Sequence, residues 1–386
     1  MIYADYNGSA PICDDVKDYL IERLKKDGPY ANPNAIHYLG SKTLMGMENA
    51  RSICSKVLGA DYNQVIFNSG ATEGISHVFH SCLDNAQELG IKAVIVSGIE
   101  HSAVINSAKA YANKGVETKI LPTLNTGIID LSALESWLAD YGKELGLVAI
   151  MAANNETGII QPYEKVAELC NKHDVPFLCD TTQYIGKTIF NFKKSGADYA
   201  VTSGHKFGAL TGAGILLAKD PTSLRPLIIG GGQEKGHRGG TQNYIGNETL
   251  AVALKNFEKN LDKIEALNSK RLEFEAALTE KFPEVVIIGK ESPRLASTTY
   301  VSFPGIHGQA VQIELESQDI FVTTSSACSD NEPVTSKVLK AMGVTDEVGR
   351  GVVRISLGLC SPLEYYDEIL DALTKAYEKL GKIKSY

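Results

Sequence analysis

The sequence has no apolar stretch approaching the roughly 18 residues of a membrane span, so no transmembrane helix is expected. It has no clustered basic run, and a formal net charge of −8 gives no support for nucleic-acid binding. The N-terminus, Met1 to Tyr6, carries an early acid and lacks the basic-then-apolar layout of a signal peptide. Cysteine is odd in number and scattered: Cys13, Cys54, Cys82, Cys170, Cys179, Cys328 and Cys360 include no Cys-x-x-Cys pair. That spacing argues against a disulfide framework and against a structural zinc site, and a reducing cytoplasm is the expected setting. There is no internal repeat and no low-complexity segment. What remains is the composition of a globular protein, 44% hydrophobic and 22% charged, in a chain of 386 residues with room for two domains.

A strand–turn–helix pattern recurs. Val65 to Phe67, Ala93 to Ser97, Leu147 to Met151, Val175 to Asp180 and Tyr199 to Val201 are short apolar runs that read as buried strands. Helices are expected over Asp14 to Lys26, Tyr38 to Leu58 and from about Thr72 onward. Each strand is followed by a polar cluster, at 70–72, 100–102, 154–158, 180–183 and 203–206. In an α/β sheet such clusters converge beyond the carboxyl ends of the strands, where ligands bind. The helix start near Thr72 could receive a phosphate on its backbone N–H groups, or it could be an ordinary start capped by Ser69 or Thr72. His101 could be a satisfied loop residue or a ring that stacks on a planar cofactor and moves protons. Asn155 could be a turn residue or a donor to a cofactor oxygen.

The chain is organised around Ser203-Gly204-His205-Lys206. A lysine just after a buried strand is either a surface residue or the amine that condenses with an aldehyde cofactor. Asp180 ends the preceding buried run, and a buried carboxylate needs a partner. Lysine for the aldehyde and carboxylate for a protonated ring nitrogen is the pair that pyridoxal 5'-phosphate requires. It is therefore the leading reading of these residues.

The chain resembles cysteine desulfurases of the NifS/IscS type, in the class V group of fold-type I pyridoxal-phosphate enzymes. The resemblance is carried, in order along nearly the whole chain, by Ser69-Gly-Ala-Thr-Glu73, Glu100-His-Ser-Ala103, Asn154-Asn-Glu-Thr-Gly158, Asp180-Thr-Thr-Gln183, Ser203-Gly-His-Lys206, Gly240-Thr-Gln-Asn243 and Ser325-Ser-Ala-Cys328. It implies an α/β fold: a large cofactor-binding domain with a mainly parallel seven-stranded sheet flanked by helices (13–249), and a smaller α+β domain (1–12 and 250–386). The smaller domain, where strands and helices alternate less regularly, would carry a mobile cysteine loop at about 322–334. Thr249 to Phe282 reads as a long helix or helix pair, and Glu364 to Leu380 as the closing helix.

The resemblance also implies residue roles. Lys206 carries the cofactor, Asp180 holds its ring nitrogen and His101 stacks on the ring. Asn155 and Gln183 contact the ring oxygen. Ala71, Thr72, Ser203 and His205 hold the phosphate, with Gly204 among the cofactor-binding residues. Cys328 attacks the sulfur of bound L-cysteine and keeps it as a persulfide, releasing L-alanine. Arg354, a charge inside the apolar run Val352 to Ser356, is either a structural ion pair or the fork that clamps the substrate carboxylate, and Asn155 is also expected to bind substrate. The glycine-dense stretch Gln233 to Asn243 matches a loop that crosses a two-fold axis, so a homodimer with shared sites is expected, Thr241 reaching the neighbour's phosphate. A sulfur-accepting scaffold or carrier protein is the expected partner, serving iron–sulfur assembly or another acceptor. No metal site is expected beyond transient ligation of a cluster by Cys328. The alternatives are a selenocysteine lyase or other β-eliminating enzyme of this fold, and a non-catalytic scaffold. Three departures from the family pattern stand out: Ser326 where glycine is usual, Leu359 where arginine is common, and Asn7-Gly8-Ser9 in place of Asn-Ala-Thr.

Overall fold

The structure is a computed structural model that describes residues 1–25, 30–324 and 334–382. Its strands, in chain order, are β1 (Ile2–Tyr3), β2 (Val65–Asn68), β3 (Ala93–Ser97), β4 (Glu117–Leu121), β5 (Leu145–Met151), β6 (Phe177–Asp180), β7 (Tyr199–Ser203), β8 (Gly214–Ala218), β9 (Val286–Ile287), β10 (Thr298–Ser302), β11 (Ile320–Phe321) and β12 (Val352–Ser356). Seven of them form one sheet in the order β2-β8-β7-β6-β5-β3-β4. Only β8 runs against its neighbours, pairing antiparallel with both β7 and β2. The segment 204–213 joins β7 to β8 without a helix long enough to cross the sheet, and a parallel return would need such a crossover.

Both faces of the sheet are buried, which is why its strands read as continuous apolar runs. Ile66, Val94, Val96, Leu147 and Val201 face one core with Ile75, Val78 and Phe79 of the helix Ala71–Leu83. The alternate residues Val65, Phe67, Ile95, Val148 and Ile150 face a second core. Burying Phe79 or Phe177 completely is worth several kcal/mol, since truncating such a side chain costs about 3–5 kcal/mol. A third cluster joins Ile2 and Ala4 to Phe274, Val301, Val353, Tyr366 and Leu373. There β1 pairs in parallel with β11, and β10 lies between β9 and β12 in an antiparallel sheet.

Several local expectations are refined. The first helix, Asp14–Arg23, stops short of residue 26. The stretch 249–282 is two helices, the first of which begins earlier, as Tyr244–Lys259 and Lys263–Lys281. Asn243 caps the first, its side chain accepting from the Gly246 N–H at 3.1 Å. The first of these helices packs Leu250, Ala251 and Leu254 into the core of the large sheet. The helix Ala71–Leu83 is not capped by Ser69 or Thr72. Its cap is Gly70 at φ 146°, and Ser69 instead gives its N–H and hydroxyl to Glu73.

Candidate active site

The expected residues meet at the carboxyl ends of the strands. Asp180 is the last residue of β6, Ser203 the last of β7, and Lys206 ends the single helical turn 204–206 that follows. Because β6 and β7 are adjacent, with Asp180 opposite Val201, the carboxylate and the amine open onto one cavity of about 320 Å³. Ala71, Thr72 and His101 line it from one side, and Asn155, Gln183, His205 and Arg354 from others. Gly204 does not reach the cavity. A side chain there would meet Leu250 at 2.6 Å, so its role is close packing. Thr241 is exposed and stands outside the cavity of its own chain. Cys328 lies outside the described residues; the last described residues before it include Thr323, which lines the cavity mouth and accepts from the Arg354 N–H at 2.7 Å.

Each polar group is held in a particular state. Asp180 is nearly buried, with 6% exposure. One of its oxygens accepts from the Thr182 N–H at 2.9 Å, and no cation among the described residues pairs with it. His101 caps the helix Ser102–Lys109, its Nδ1 accepting from the Ala103 N–H at 3.1 Å. A backbone N–H can only donate, so the ring proton sits on Nε2 and the ring is pinned. Behind it, burial pushes the Glu100 carboxyl up to about 8, against hydrogen bonds from Ser97 (2.6 Å) and the Met151 N–H (2.9 Å). Burial, and then the charge of Lys206, hold His205 below the usual imidazole range, and its Nδ1 lies 3.1 Å from the Ser9 hydroxyl.

At the start of the helix Ala71–Leu83, the Ala71 N–H donates to Ser203 Oγ at 2.7 Å. The approach is tight enough that a side chain at Gly214 would strike the Gly70 backbone at 2.5 Å. The result is a helix N-terminus opening into a polar pocket, a natural seat for an anion. Among the described residues, the buried Thr182 hydroxyl and Arg354 Nε find no partner there, and Asp180 finds no cation. These groups fit a ligand carrying a phosphate, a protonated ring nitrogen and a carboxylate.

Sequence reading missed the N-terminal segment and Lys187. Lys206 Nζ donates to the carbonyls of Asn7 (2.9 Å) and Gly8 (2.7 Å). Arg354 Nη2 lies 2.6 Å from Asp5, and its Nη1 donates to the Asn155 carbonyl at 2.8 Å. Asp5 was visible only as an acid in an otherwise uncharged N-terminal run. Lys187 gave no signal beyond its place seven residues after Asp180.

The sheet order, the lysine turn after β7 and the carboxylate at the end of β6 define an α/β protein of the fold-type I class. The chain belongs to the aminotransferase class-V family, which matches residues 2–367 and is pyridoxal-phosphate dependent. It is 32% identical to the cysteine desulfurase IscS of Dictyoglomus turgidum over all of this chain and 96% of that protein. Among solved structures, a NifS-like protein superposes with a TM-score of 0.89 at 33% identity, covering 98% of this chain and 99% of the other. SspA, solved in complex with cysteine, superposes with a TM-score of 0.80 at 28% identity over 92% of this chain and 99% of its own.

Proposed function

We propose that the protein is a pyridoxal-phosphate-dependent cysteine desulfurase that converts L-cysteine to L-alanine and leaves the sulfur as a persulfide on Cys328. The observation that carries this reading is the near-buried Asp180, with no cation partner among the described residues, sharing one cavity with Lys206. Bound pyridoxal phosphate supplies an aldehyde for Lys206 and a ring that takes up electrons. Asp180 holds the proton of the ring nitrogen, and the pinned His101 ring covers one face. Asn155 and Gln183 serve the ring oxygen, while Ser203, His205, Thr72 and the Ala71 end of its helix hold the phosphate. Arg354 orients the substrate carboxylate, and Lys206 Nζ takes the α-proton. The Cys328 thiolate attacks the substrate sulfur. A sulfur–sulfur bond forms as the substrate carbon–sulfur bond breaks, and the persulfide passes to an acceptor protein.

The small sheet, with β1 and the third hydrophobic cluster, forms the smaller domain in this reading. It comprises 1–12 and 250–386, against 13–249 for the larger, with residues 250–254 packing back onto the large sheet.

A homodimer is part of the proposal. The loop bearing Thr241 is tied down by two ion pairs: Glu234 to Arg51 at 2.8 Å, and Arg238 to Glu73 at 2.9 Å. Ile229, Ile36 and Met45 are bare apolar side chains, with 87%, 103% and 71% exposure, which suit a second copy.

The test is direct. Purified protein supplied with pyridoxal phosphate should absorb in the visible region, and borohydride should trap the cofactor on Lys206. Cysteine should yield alanine and, with a thiol reductant, sulfide. Trapping at another lysine in Lys206→Ala protein sinks the cofactor assignment. Turnover of selenocysteine alone would favour a selenocysteine lyase.

A further inference from the structure

Among the described residues, Lys187 is a half-buried lysine beside the cavity for which neither the expected mechanism nor the cofactor has a use. It follows Gln183 by four residues, and its amine meets two oxygens, the Gln183 Oε1 and the Asn7 Oδ1, the latter at 2.6 Å. Asn7 is a hub. Its carbonyl accepts from the Gln183 Nε2 at 2.8 Å and from Lys206 Nζ at 2.9 Å, and its Nδ2 reaches the Asn155 carbonyl at 3.2 Å. Gln183 is 4% exposed and Asn7 1%, so both side chains depend on internal partners.

We infer that Lys187 is a positioning residue for the cofactor site: by donating to Gln183 Oε1 and Asn7 Oδ1 it fixes both amides, leaving Gln183 with an N–H for the cavity. An amine can only donate to those oxygens, and a carbonyl can only accept, so Lys187 and the Asn7 carbonyl together admit one orientation of the Gln183 amide. Burial, and then the charges of Lys206 and Arg354, hold the Lys187 amine well below the ordinary lysine range, with Asp5 acting the other way. A neutral amine still has two N–H bonds, one for each oxygen it touches. The Asn7 carbonyl, which can only accept, still takes the Gln183 Nε2, so the orientation survives loss of the charge. On the far side of Lys187 and Lys206 lies a second cavity of about 440 Å³, bordered also by Tyr6, Asn260 and Leu359. It gives a larger side chain at 187 room to fit.

This inference rests on the cofactor reading above, and the experiment separates the two. The readout is the pH midpoint at which visible absorption of the bound cofactor changes, in the intact holoprotein. A donor on the ring oxygen weakens that oxygen's hold on the proton at the Lys206 nitrogen. Lys187→Met should thus raise the midpoint by about one pH unit. Lys187→Arg keeps donors and should stay near wild type. In a Gln183→Leu background, Lys187→Met should add less than half of its shift, because it acts through that amide. If Lys187→Met does not accumulate as folded protein, Lys187→Ala carries the same comparison, since it too removes both donors. An unchanged midpoint in Lys187→Met, or an equal shift in both backgrounds, overturns the positioning role alone. Wild-type protein with no visible absorption removes the cofactor reading, and this inference with it.

Discussion

Arg354 is held by Asp5, with Nη2 2.6 Å from the carboxylate, across 349 residues of sequence. The pair bolts the segment after β1 to β12 and leaves the buried Arg354 Nε without a partner among the described residues. A guanidinium anchored at one end presents the rest of its fork in fixed geometry. Arg354→Ala should raise KM for cysteine by roughly 10- to 100-fold, the worth of a charge-assisted contact. Asp5→Asn should raise it less, with kcat near wild type in steady-state kinetics. A kcat collapse with unchanged KM would rule out a carboxylate clamp.

The thiol prediction concerns Cys328, beyond the described residues. Cys328→Ser should keep the cofactor's visible absorption and abolish persulfide formation. Burial pushes the Cys54 and Cys82 thiols up to about 12 and Cys179 well above its ordinary value, so none of these is a ready nucleophile. Cys360 is exposed, with Lys263 Nζ 3.7 Å from its sulfur, and is the rival worth tracking. Mass spectrometry after cysteine treatment should find the added sulfur on the Cys328 peptide. Finding it on Cys360 instead would refute the assignment.

Shared sites make a complementation prediction. Lys206→Ala subunits and subunits damaged at Arg238 and Thr241 should each be inactive. Verified mixed dimers should regain one working site, which combines the two undamaged halves. Thr241→Ala alone should weaken cofactor retention roughly tenfold and leave the dimer intact. A fully active monomer in sedimentation would contradict this.

Glu100 makes stability depend on pH. Its carboxyl is raised in the fold from an ordinary 4.5 to about 8, so the folded state binds the proton more tightly than the unfolded chain. The contribution is fully present below about pH 4.5 and is lost as pH rises through about 8, on the order of a few kcal/mol. Glu100→Gln can still accept from Ser97 and Met151 but cannot ionise. Its thermal midpoint should exceed that of wild type at pH 9, with the gap closing at pH 5. Parallel pH profiles for the two proteins would show that Glu100 does not titrate in this window.

Five strands of the large sheet were legible because burial on both faces writes unbroken apolar runs such as Leu145–Met151 and Phe177–Asp180, but the equally buried β8, Gly214–Ala218, was not read. The edge strand Glu117–Leu121 was not, since exposed Glu117 and half-buried Thr118 and Lys119 break any apolar signal. The split of 249–282 into two helices was left open, and the turn at Asn260-Leu-Asp262 decides it. The motif residues were legible as chemistry, and ten of them share one cavity.

By itself, then, the sequence determined the strand–turn–helix rhythm, the sheet's buried interior and the identity of the lysine, carboxylate and histidine at the strand ends. All of these are local: periodicity and residue type are set within a few positions along the chain. Tertiary structure alone decided which groups face one another. Asp5 finds Arg354, Asn7 gathers Gln183, Lys187 and Lys206, and Ser203 takes the Ala71 N–H, over separations from 132 to 349 residues. Such pairings depend on strand register and on close approaches like that of Gly214 to Gly70, and no local pattern in the chain encodes them.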